Sequence, residues 1–325
     1  MTDPVFHIST NEEFESIALE IFREQYKYVK PYHDFIHYLG VDAGKIHSIE
    51  KIPFLPVEFF KYHSIIDHRK KEQLLFFSSG TTGRERSRHY VADAARYETS
   101  FTKAFEQFYG SPSDYCILAL LPSYLERNGS SLVYMTERLI KQSQHTDSGF
   151  YLFNYDDLMK KLMGLKAQGQ KTLVIGVTFA LLELANLYQE DLSGIIFMET
   201  GGMKGRGKEI TRRELHEILK SRFNLSSVHS EYGMTELLSQ AYSSGEGIFY
   251  PPPWMKILIR DSHDPFDILP PGKSGAINVL DLANRYSCSF LATSDIGKIH
   301  IDGSFEILGR MDFSEVRGCN LLVEG

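Results

Sequence analysis

Short apolar runs in this sequence end at clusters of polar and glycine residues, and this pattern limits the folds that the chain can adopt. Leu74 to Phe77 is a short apolar run, Gly194 to Met198 is typical of a buried strand, and Val228 to Tyr232 is strand-like; each leads into such a cluster. Helical patterns alternate with these runs along the chain. This alternation predicts an α/β fold in which a mostly parallel sheet is covered by helices. In such sheets, ligands bind beyond the carboxyl ends of the strands, so the three clusters are candidate binding loops.

The other predicted elements complete this α/β pattern. Two further strands are expected, one at Tyr115 to Leu121 and a buried one at Thr172 to Val177. Apolar residues at helical spacing, or helix-forming composition, predict helices over Asn11–Lys27, Ala92–Phe108, Ser130–Lys141, Phe179–Leu187 and Lys208–Phe223, and a short helix from Thr235.

The pattern changes after three consecutive prolines at positions 251–253. Short apolar segments separated by Gly, Pro and Asp predict strands at Met255–Arg260, Ser274–Leu280, Lys298–Asp302 and Phe305–Leu308. We therefore expect an α/β core over residues 1–250, a small β-rich subdomain over 251–312 that completes the site, and a short tail over 313–325.

Composition argues against several classes of protein. Lys and Arg number 35 against 42 Asp and Glu, and the resulting net charge of -7 argues against a nucleic-acid or anionic-membrane partner. Three cysteines without close spacing favour neither a disulfide framework nor a zinc site. No apolar run has the roughly 20 residues of a membrane span, and the first residues lack a secretory-signal pattern. The expected location is the cytoplasm.

The cluster after Leu74 to Phe77 is a loop rich in glycine and hydroxyl groups. Backbone N–H groups in such a loop can surround phosphate oxygens, and the arginines at 84, 86 and 88 add positive charge. It is not a Walker A loop, because Gly-Lys-Ser/Thr is missing at the required spacing. Taken alone, a solvated turn explains it better, and the following His89 is expected to be a satisfied core or surface histidine rather than a substrate contact. The loop consists of Ser78, Ser79, Gly80, Thr81, Thr82 and Gly83.

A second cluster runs from Glu231 through Tyr232, Gly233 and Thr235 to Glu236. The tyrosine can stack on a purine, the threonine can reach a phosphate oxygen, and the final carboxylate can hold Mg²⁺. The start of a helix explains the same residues equally well.

A third pair of segments lies in the β-rich region. Asp295, in Thr-Ser-Asp-Ile-Gly, can hold ribose hydroxyls from a strand turn, and Arg310, in Gly-Arg-Met-Asp, can bridge ribose and phosphate. Ordinary turn chemistry is the alternative explanation.

Together and in this order, the segments resemble the adenylate-forming enzymes, which include acyl-CoA synthetases, luciferases and nonribosomal-peptide adenylation domains. The matching motifs are SSGTTG, YGMTE, TSDIG and GRMD, between residues 78 and 312. The first departs in one respect, since the lysine that often follows it is replaced by the region of Arg84, Glu85 and Arg86. The resemblance implies the large N-terminal domain of that fold, with ATP and Mg²⁺ as cofactors.

The resemblance also implies roles for the matching residues around the phosphates. Ser78 to Gly83 would surround the β- and γ-phosphates of ATP, Thr235 would contact the α-phosphate, and Glu236 would place Mg²⁺. The reaction would be attack of a carboxylate on the α-phosphate, which gives acyl-AMP and pyrophosphate. Thr235 and Arg310 would act as catalytic groups.

The base and the ribose would be held by a second set of residues. Tyr232, between Glu231 and Gly233, would stack on the base, and Asp295 and Arg310 would bind the ribose. The loop along adenine would consist of Glu199, Thr200, Gly201 and Gly202.

Three features narrow the resemblance to the LuxE-type acyl-protein synthetases, which are related to phenylacetate-CoA ligases. The segment TGGMKGRGKEI from Thr200 to Ile210 is similar, and Cys319 lies near the last residue, Gly325. Other adenylate-forming enzymes continue past the Gly-Arg-x-Asp segment into a mobile C-terminal lid that carries a catalytic lysine. Because the present sequence stops at Gly325, this lid is expected to be essentially absent. The resemblance covers essentially the whole chain. It implies transfer of a fatty acyl group to Cys319, and then to a fatty acid reductase or acyl-carrier partner.

The three cysteines are expected to differ in role. A thiol tethered at Cys319 would make the acyl acceptor intramolecular and raise its effective concentration, and Arg317 could favour the thiolate. Cys116, within an apolar run, is expected to be buried, and Cys288 is expected to be structural although it lies near Asp295 in sequence.

Two other functions stay open from the sequence. An acyl- or aryl-CoA ligase would share the Arg-Gly-x-Asn run at residues 317–320 and would turn over free CoA. A nonenzymatic scaffold that binds nucleotide would show no ATP–pyrophosphate exchange with any carboxylic acid.

Overall fold

The computed structural model describes residues 3–78, 85–121, 129–201 and 210–311. The strands within these ranges, in chain order, are β1 (Leu55–Pro56), β2 (Leu74–Phe77), β3 (Arg88–Val91), β4 (Cys116–Leu120), β5 (Gly149–Tyr151), β6 (Thr172–Gly176), β7 (Ile196–Glu199), β8 (His229–Tyr232), β9 (Ala241–Ser243), β10 (Ile248–Phe249), β11 (Met255–Arg260), β12 (Ile268–Leu269), β13 (Ser274–Asp281), β14 (Phe290–Ile299) and β15 (Phe305–Arg310).

The helices of the same ranges confirm most of those predicted. They are α1 (Asn11–Tyr28), α2 (Lys30–Tyr38), α3 (Phe59–Tyr62), α4 (Ala94–Tyr109), α5 (Ser131–Ser143), α6 (Tyr155–Ala167), α7 (Thr178–Leu187) and α8 (Arg212–Phe223). Short 3-10 turns lie at Pro4–His7, Ala43–Lys45, Ile49–Lys51, Pro112–Asp114 and Leu282–Asn284.

Capping residues explain where two of these helices begin. The side chain of Thr10 accepts a hydrogen bond from the backbone of Glu13, whose own side chain bonds back, and Thr211 and Glu214 do the same at α8. Such reciprocal pairs satisfy N–H groups that the first turn of a helix leaves unpaired. None of the described helices is long and apolar enough to cross a membrane.

A six-stranded sheet confirms the predicted parallel architecture. Its strand order is β5-β4-β6-β7-β8-β9, and every pair is parallel except β8 with β9. Every residue of β4 and of β6 is buried. Continuous burial is typical of parallel strands whose two faces are both covered by helices.

Alternating side chains of these strands enter two separate apolar clusters. Ile117 and Ile175 belong to a cluster that includes residues of α1, α2 and α4. Leu118 and Val174 belong to a second cluster with residues of α6, α7 and α8. Successive side chains of a strand point to opposite faces, so the sheet lies between these two layers.

The second large sheet is mainly antiparallel. Its order is β10-β15-β14-β13-β11-β12, and β1 pairs with β14 in parallel. Two of its strands, β1 and β10, come from outside residues 251–312. The predicted limits at residues 250 and 312 stay a prediction, since one sheet draws on both sides of the first limit.

Three local predictions were wrong. Leu74–Phe77 forms a separate two-stranded antiparallel ribbon with β3 rather than a strand of the parallel sheet. The chain between these strands is too short for the crossover that a parallel pair requires. The strand expected at Lys298–Asp302 is the end of β14, which stops at Ile299 before a turn. The helix expected from Thr235 is a turn, for reasons given below.

Candidate functional site

The carboxyl ends of β7 and β8 lie side by side, because Glu199 is in register with Ser230 across the parallel pair. The loop after β7 is fastened to the neighbouring β6 and α7. Thr200 N donates to the carbonyl of Gly176 at 3.0 Å, and Thr178 N donates to the carbonyl of Gly201 at 3.0 Å. Thr200 and Gly201 therefore lie at the sheet edge where the sequence predicted them, and Gly202 lies outside the described residues.

Glu199 fixes the turn that this loop makes. Its buried carboxylate accepts from Gly201 N at 2.8 Å and from Arg212 Nε at 2.7 Å. Gly201 has a φ of +68°, a conformation that favours glycine. The first carboxylate of the edge is thus paired with a guanidinium.

The second carboxyl of the edge is Glu231, the next-to-last residue of β8. Burial raises the pKa of Glu231 to about 8, and the charge of Glu199 adds to the shift. At neutral pH this side chain is therefore mostly protonated and uncharged. A Cβ at Gly233 would lie 2.4 Å from Glu231 Oε1, so the glycine leaves room for the carboxyl.

Three predicted residues from distant parts of the sequence meet in one hydrogen-bonded cluster. The hydroxyl of Tyr232 donates to Asp295 Oδ2 at 3.0 Å, and Arg310 Nε donates to Asp295 Oδ1 at 2.8 Å. Because Tyr232 ends β8 and the other two lie on β14 and β15, the cluster joins the two large sheets.

Burial differs sharply within this Tyr232–Asp295–Arg310 cluster. Tyr232 and Asp295 are 8% and 6% exposed, whereas the Arg310 side chain is 53% exposed. The Tyr232 ring contacts the edges of Phe249 and Phe305, and burial, reinforced by the charge of Asp295, raises the pKa of Tyr232 well above its usual value. Arg310 is therefore the member of the cluster that presents charge to solvent.

Asp295 lies within a strand and not at the predicted turn, which corrects that expectation. Its strand, β14, pairs with both β13 and β15, and Asp295 is directly opposite Arg310 in the register. The glycine that suggested a turn, Gly297, marks a close approach of strands. A Cβ there would lie 2.5 Å from the carbonyl oxygen of Glu306.

The segment after Tyr232 forms a turn because side chains from elsewhere satisfy its backbone. His89 Nδ1 lies 2.7 Å from the carbonyl of Thr235, and Asn284 Nδ2 donates to the carbonyl of Glu236 at 2.8 Å. The carboxylate of Asp281 accepts from Leu238 N at 2.7 Å and from Ser239 N at 3.0 Å. Buried peptide groups need partners, and here these partners replace the bonds that a helix would form.

His89 is confirmed as a satisfied core histidine. It is 0% exposed, and burial lowers its pKa from 6.5 to about 4.

Glu236, the predicted Mg²⁺ ligand, is a buried carboxyl in this turn. Burial raises its pKa, and a hydrogen bond with Ser87 opposes that shift. A buried carboxylate beside a hydroxyl is a donor set suited to Mg²⁺, which takes one or two carboxylates and completes its shell with phosphates and water. The part of the chain that the structure describes contains no group of three or more His, Cys, Asp or Glu side chains placed to hold a metal by themselves.

The base of the glycine-rich loop lies beside Glu236. Ser78 N donates to the carbonyl of Ser87 at 3.1 Å, and Ser87 N donates to Ser78 Oγ at 3.0 Å. Since Ser87 also bonds Glu236, the chain after the loop lies at this carboxyl, and Ser78 is held next to it through Ser87. Ser79, Gly80, Thr81, Thr82 and Gly83 lie outside the described residues.

Sequence reasoning missed Glu58, a further carboxyl at the site. Its Oε1 accepts from Ser294 Oγ at 3.0 Å, next to Asp295, and its charge raises the pKa of Glu236. It reaches this place because β1 pairs with β14, with Leu55 in register with Leu291. No local pattern in the sequence could have shown a contact between residues so far apart in the chain.

Two of the three cysteines, Cys116 and Cys288, are buried in the protein interior. Burial raises the pKa of Cys116 to about 11 and that of Cys288 to about 12, and neither is more than 1% exposed. Both are therefore thiols at neutral pH, as expected for structural cysteines. Cys319 lies outside the described residues.

Comparisons with known proteins bear on the family and the fold of this chain. The family model described as acyl-protein synthetase, LuxE, matches residues 3–324. No curated protein sequence matches the chain.

Solved structures share its fold. ATP-bound MatB from Rhodopseudomonas palustris has 18% identity and a TM-score of 0.54 over 73% of this chain and 47% of its own. A 2-hydroxyisobutyryl-CoA ligase in complex with 2-HIB-AMP and CoA has 13% identity and a TM-score of 0.66 over 93% of this chain and 68% of its own. The chain thus spans about half the length (47%) of MatB.

Proposed function

Because the chain belongs to the acyl-protein synthetase family LuxE, we propose that it activates a carboxylic acid as acyl-AMP and transfers the acyl group to its own Cys319. The acid is a fatty acid, and the thioester is delivered to an acyl-accepting reductase or carrier protein. ATP and Mg²⁺ are the cofactors, and the reaction takes place in the cytoplasm.

One observation carries the proposal, namely the Tyr232–Asp295–Arg310 cluster. The cluster lies where β8 ends, and Tyr232 is three residues from Thr235 and four from Glu236. Its buried carboxylate is preorganised by two donors at 3.0 and 2.8 Å. Asp295 can accept hydrogen bonds from ribose hydroxyls, and the exposed Arg310 can contact a phosphate or the bridging oxygen beside it.

Charge at the sheet edge supports the same function. Both reactants of the first step, a carboxylate and ATP, are anionic, so an anionic site would repel them. Glu199 is paired with Arg212 at 2.7 Å, and Glu231 holds its proton at neutral pH. The edge therefore presents less negative charge than its sequence suggests, and a bound Mg²⁺ at Glu236 would neutralise phosphate charge.

In the first step, a carboxylate oxygen of the acid forms a bond to the α-phosphorus as the bond from that phosphorus to the β-phosphate oxygen breaks. Pyrophosphate leaves and acyl-AMP forms. Thr235 contacts the α-phosphate, Arg310 stabilises its charge, and the loop from Ser78 to Gly83 holds the leaving phosphates. The residues near adenine are those of the Glu199–Gly202 loop and Tyr232.

In the second step, the thiolate of Cys319 attacks the acyl carbon, the bond from that carbon to the AMP oxygen breaks, and AMP leaves. The thiol proton passes to water. Burial of Cys116 and Cys288, with raised pKa values, makes both poor nucleophiles and supports the assignment to the third cysteine.

The experiment is mass spectrometry of the intact protein and its peptides after incubation with Mg-ATP and a panel of fatty acids. We expect a hydroxylamine-sensitive acyl adduct on the Cys319 peptide, absent in Cys319→Ser and present in the matched control Cys288→Ser. ATP–pyrophosphate exchange is expected to survive in both variants, because adenylation precedes the thiol. An adduct that persists in Cys319→Ser would refute the assignment, and thioester formation on free CoA without an adduct would show a CoA ligase.

A further inference from the structure

The turn that carries Thr235 and Glu236 is held by two buried side chains that the proposed reaction does not use. His89 is 0% exposed and Asn284 is 1% exposed. His89 Nδ1 lies 2.7 Å from the carbonyl of Thr235, and Asn284 Nδ2 donates to the carbonyl of Glu236 at 2.8 Å. Two consecutive carbonyls of one turn are thus held by side chains from two distant parts of the chain.

The hydrogen bonds around Asn284 determine how both side chains are oriented. Asn284 Nδ2 also donates to the carbonyl of Cys288 at 2.9 Å, so the amide nitrogen must face these two oxygens. Asn284 Oδ1 is thereby directed at His89 Nε2, at 3.1 Å. Both ring nitrogens of His89 thus face oxygens that only accept. The neutral imidazole carries a single proton, and the shorter contact, to the carbonyl of Thr235, assigns it to Nδ1, so Nε2 does not donate to Asn284 Oδ1. Phe60 packs against the imidazole in a T-shaped arrangement, with the ring centroids 5.5 Å apart.

Each side chain is anchored to a different part of the candidate site. His89 lies on β3, two residues after Ser87, which closes the glycine-rich loop and bonds Glu236. Asn284 lies between β13 and β14, the strand of Asp295, and its carbonyl accepts from Gln25 Nε2 at 3.0 Å. A shift of either side chain would therefore move the turn relative to the phosphate loop or to the ribose carboxylate.

We propose that His89 and Asn284 are positioning residues, which hold the backbone of Thr235 and Glu236 so that their side chains face the nucleotide phosphates and metal. The proposal rests on the proposed function. The two residues act through the turn and touch no substrate. Their loss should weaken the use of Mg-ATP and leave the affinity for the carboxylic acid unchanged.

The test compares His89→Gln, His89→Leu and Asn284→Ala with the wild type. Glutamine retains an amide donor, whereas leucine retains only bulk. His68→Leu is a matched control, since His68 Nδ1 also contacts a backbone carbonyl, that of Tyr28 at 2.9 Å, on the exposed surface. All proteins are measured below their unfolding temperatures, which are determined first.

Two readouts separate this proposal from the proposed function. Hydrogen exchange of the peptide covering residues 233–240, without ligands, reads the turn directly. We expect protection to fall about tenfold in His89→Leu and Asn284→Ala, as for the loss of one buried hydrogen bond, and less in His89→Gln. In ATP–pyrophosphate exchange, we expect the half-saturating Mg-ATP to rise about tenfold, with that of the acid unchanged.

Unchanged protection in His89→Leu and Asn284→Ala would overturn the proposal, even if activity fell. The proposal would also be overturned if the variants lost protection but kept the wild-type half-saturating concentration of Mg-ATP, because both side chains would then have only a structural role. A wild-type protein without exchange activity toward any acid would instead refute the proposed function. In that case, calorimetric titration of the same variants with Mg-ATP decides the positioning role, and equal affinities would refute it.

Discussion

Acid should destabilise this protein through His89 by an amount that the structure predicts. The pKa of the buried imidazole is lowered from 6.5 to about 4, because burial disfavours its cation. The ring contacts Phe60, Thr235 and Asn284, all uncharged, and the acceptor oxygens of Thr235 and Asn284 oppose the lowering of the pKa without cancelling it. Below about pH 6.5 the imidazole of His89 binds a proton in the unfolded chain, whereas in the folded chain it stays neutral down to about pH 4. The free energy of unfolding therefore does not depend on the protonation of His89 above about pH 6.5, and it decreases as the pH falls from there toward 4.

The magnitude follows from the shift. Each pKa unit corresponds to about 1.4 kcal/mol, so the free energy of unfolding loses about 3 kcal/mol in total through this group. Between about pH 7 and about pH 5 the loss is about 2 kcal/mol. Other groups titrate in the same interval, and Glu231 opposes the effect. The observable is therefore the difference between the wild type and His89→Gln, in which those other groups are the same.

The assay is urea unfolding of both proteins at the two pH values. Trp254 is the single tryptophan of the chain and is 3% exposed, so its emission reports the loss of the core. We expect the wild type to lose about 2 kcal/mol more than His89→Gln on acidification. Parallel losses, within about 0.5 kcal/mol, would show that His89 is charged in the folded state or open to water, and would refute the reasoning.

Three further predictions concern the site. Tyr232→Phe removes one of the two donors described for the buried Asp295 carboxylate, and should cost about 1.5–3 kcal/mol in urea unfolding; an unchanged midpoint would contradict the cluster. Gly297→Ala places a Cβ 2.5 Å from a backbone carbonyl and should cost about 1–3 kcal/mol, whereas the control Gly309→Ala, with open space around it, should be close to neutral; equal melting temperatures would argue against the strand register. Relative to the wild type, Glu231→Gln should become more stable as the pH rises from 4.5 through about 8, because the folded wild type must give up a proton that it holds tightly. Between about pH 6 and pH 9 the relative gain in the free energy of unfolding should be on the order of 2 kcal/mol. A stability difference that is constant with pH would show that Glu231 is ionised throughout.

Sequence reasoning succeeded for the parts of the fold that local patterns specify. The buried runs Thr172–Gly176 and Ile196–Glu199 are continuous apolar segments followed by helices, and a parallel sheet covered on both faces requires that pattern. The capping residue Thr10 lies one position before α1, which begins where helical spacing predicted. These features depend on neighbours within a few residues.

Reasoning from sequence failed where partners come from far along the chain. The turn at Thr235 has helix-compatible residues, yet Asp281, Asn284 and His89 take its backbone groups. The Asp295 segment has the composition of a turn, yet β13 and β15 pair with it on both sides. In both cases a tertiary hydrogen bond outweighs a local preference of about 1 kcal/mol or less.

The class of fold, and the residue types that carry the chemistry, could be predicted from local patterns in the sequence. The four ordered motifs predicted an adenylate-forming enzyme, and three further features, among them the segment from Thr200 to Ile210 and Cys319, narrowed this to the family that the family model then matched over residues 3–324. Which side chains meet, and in which protonation state, depends on the folded structure. It joined Tyr232 to Asp295 across two sheets and left Glu231 neutral. The physical reason is that apolar periodicity is encoded in adjacent residues, whereas burial and electrostatic environment depend on elements that come together only when the chain has folded.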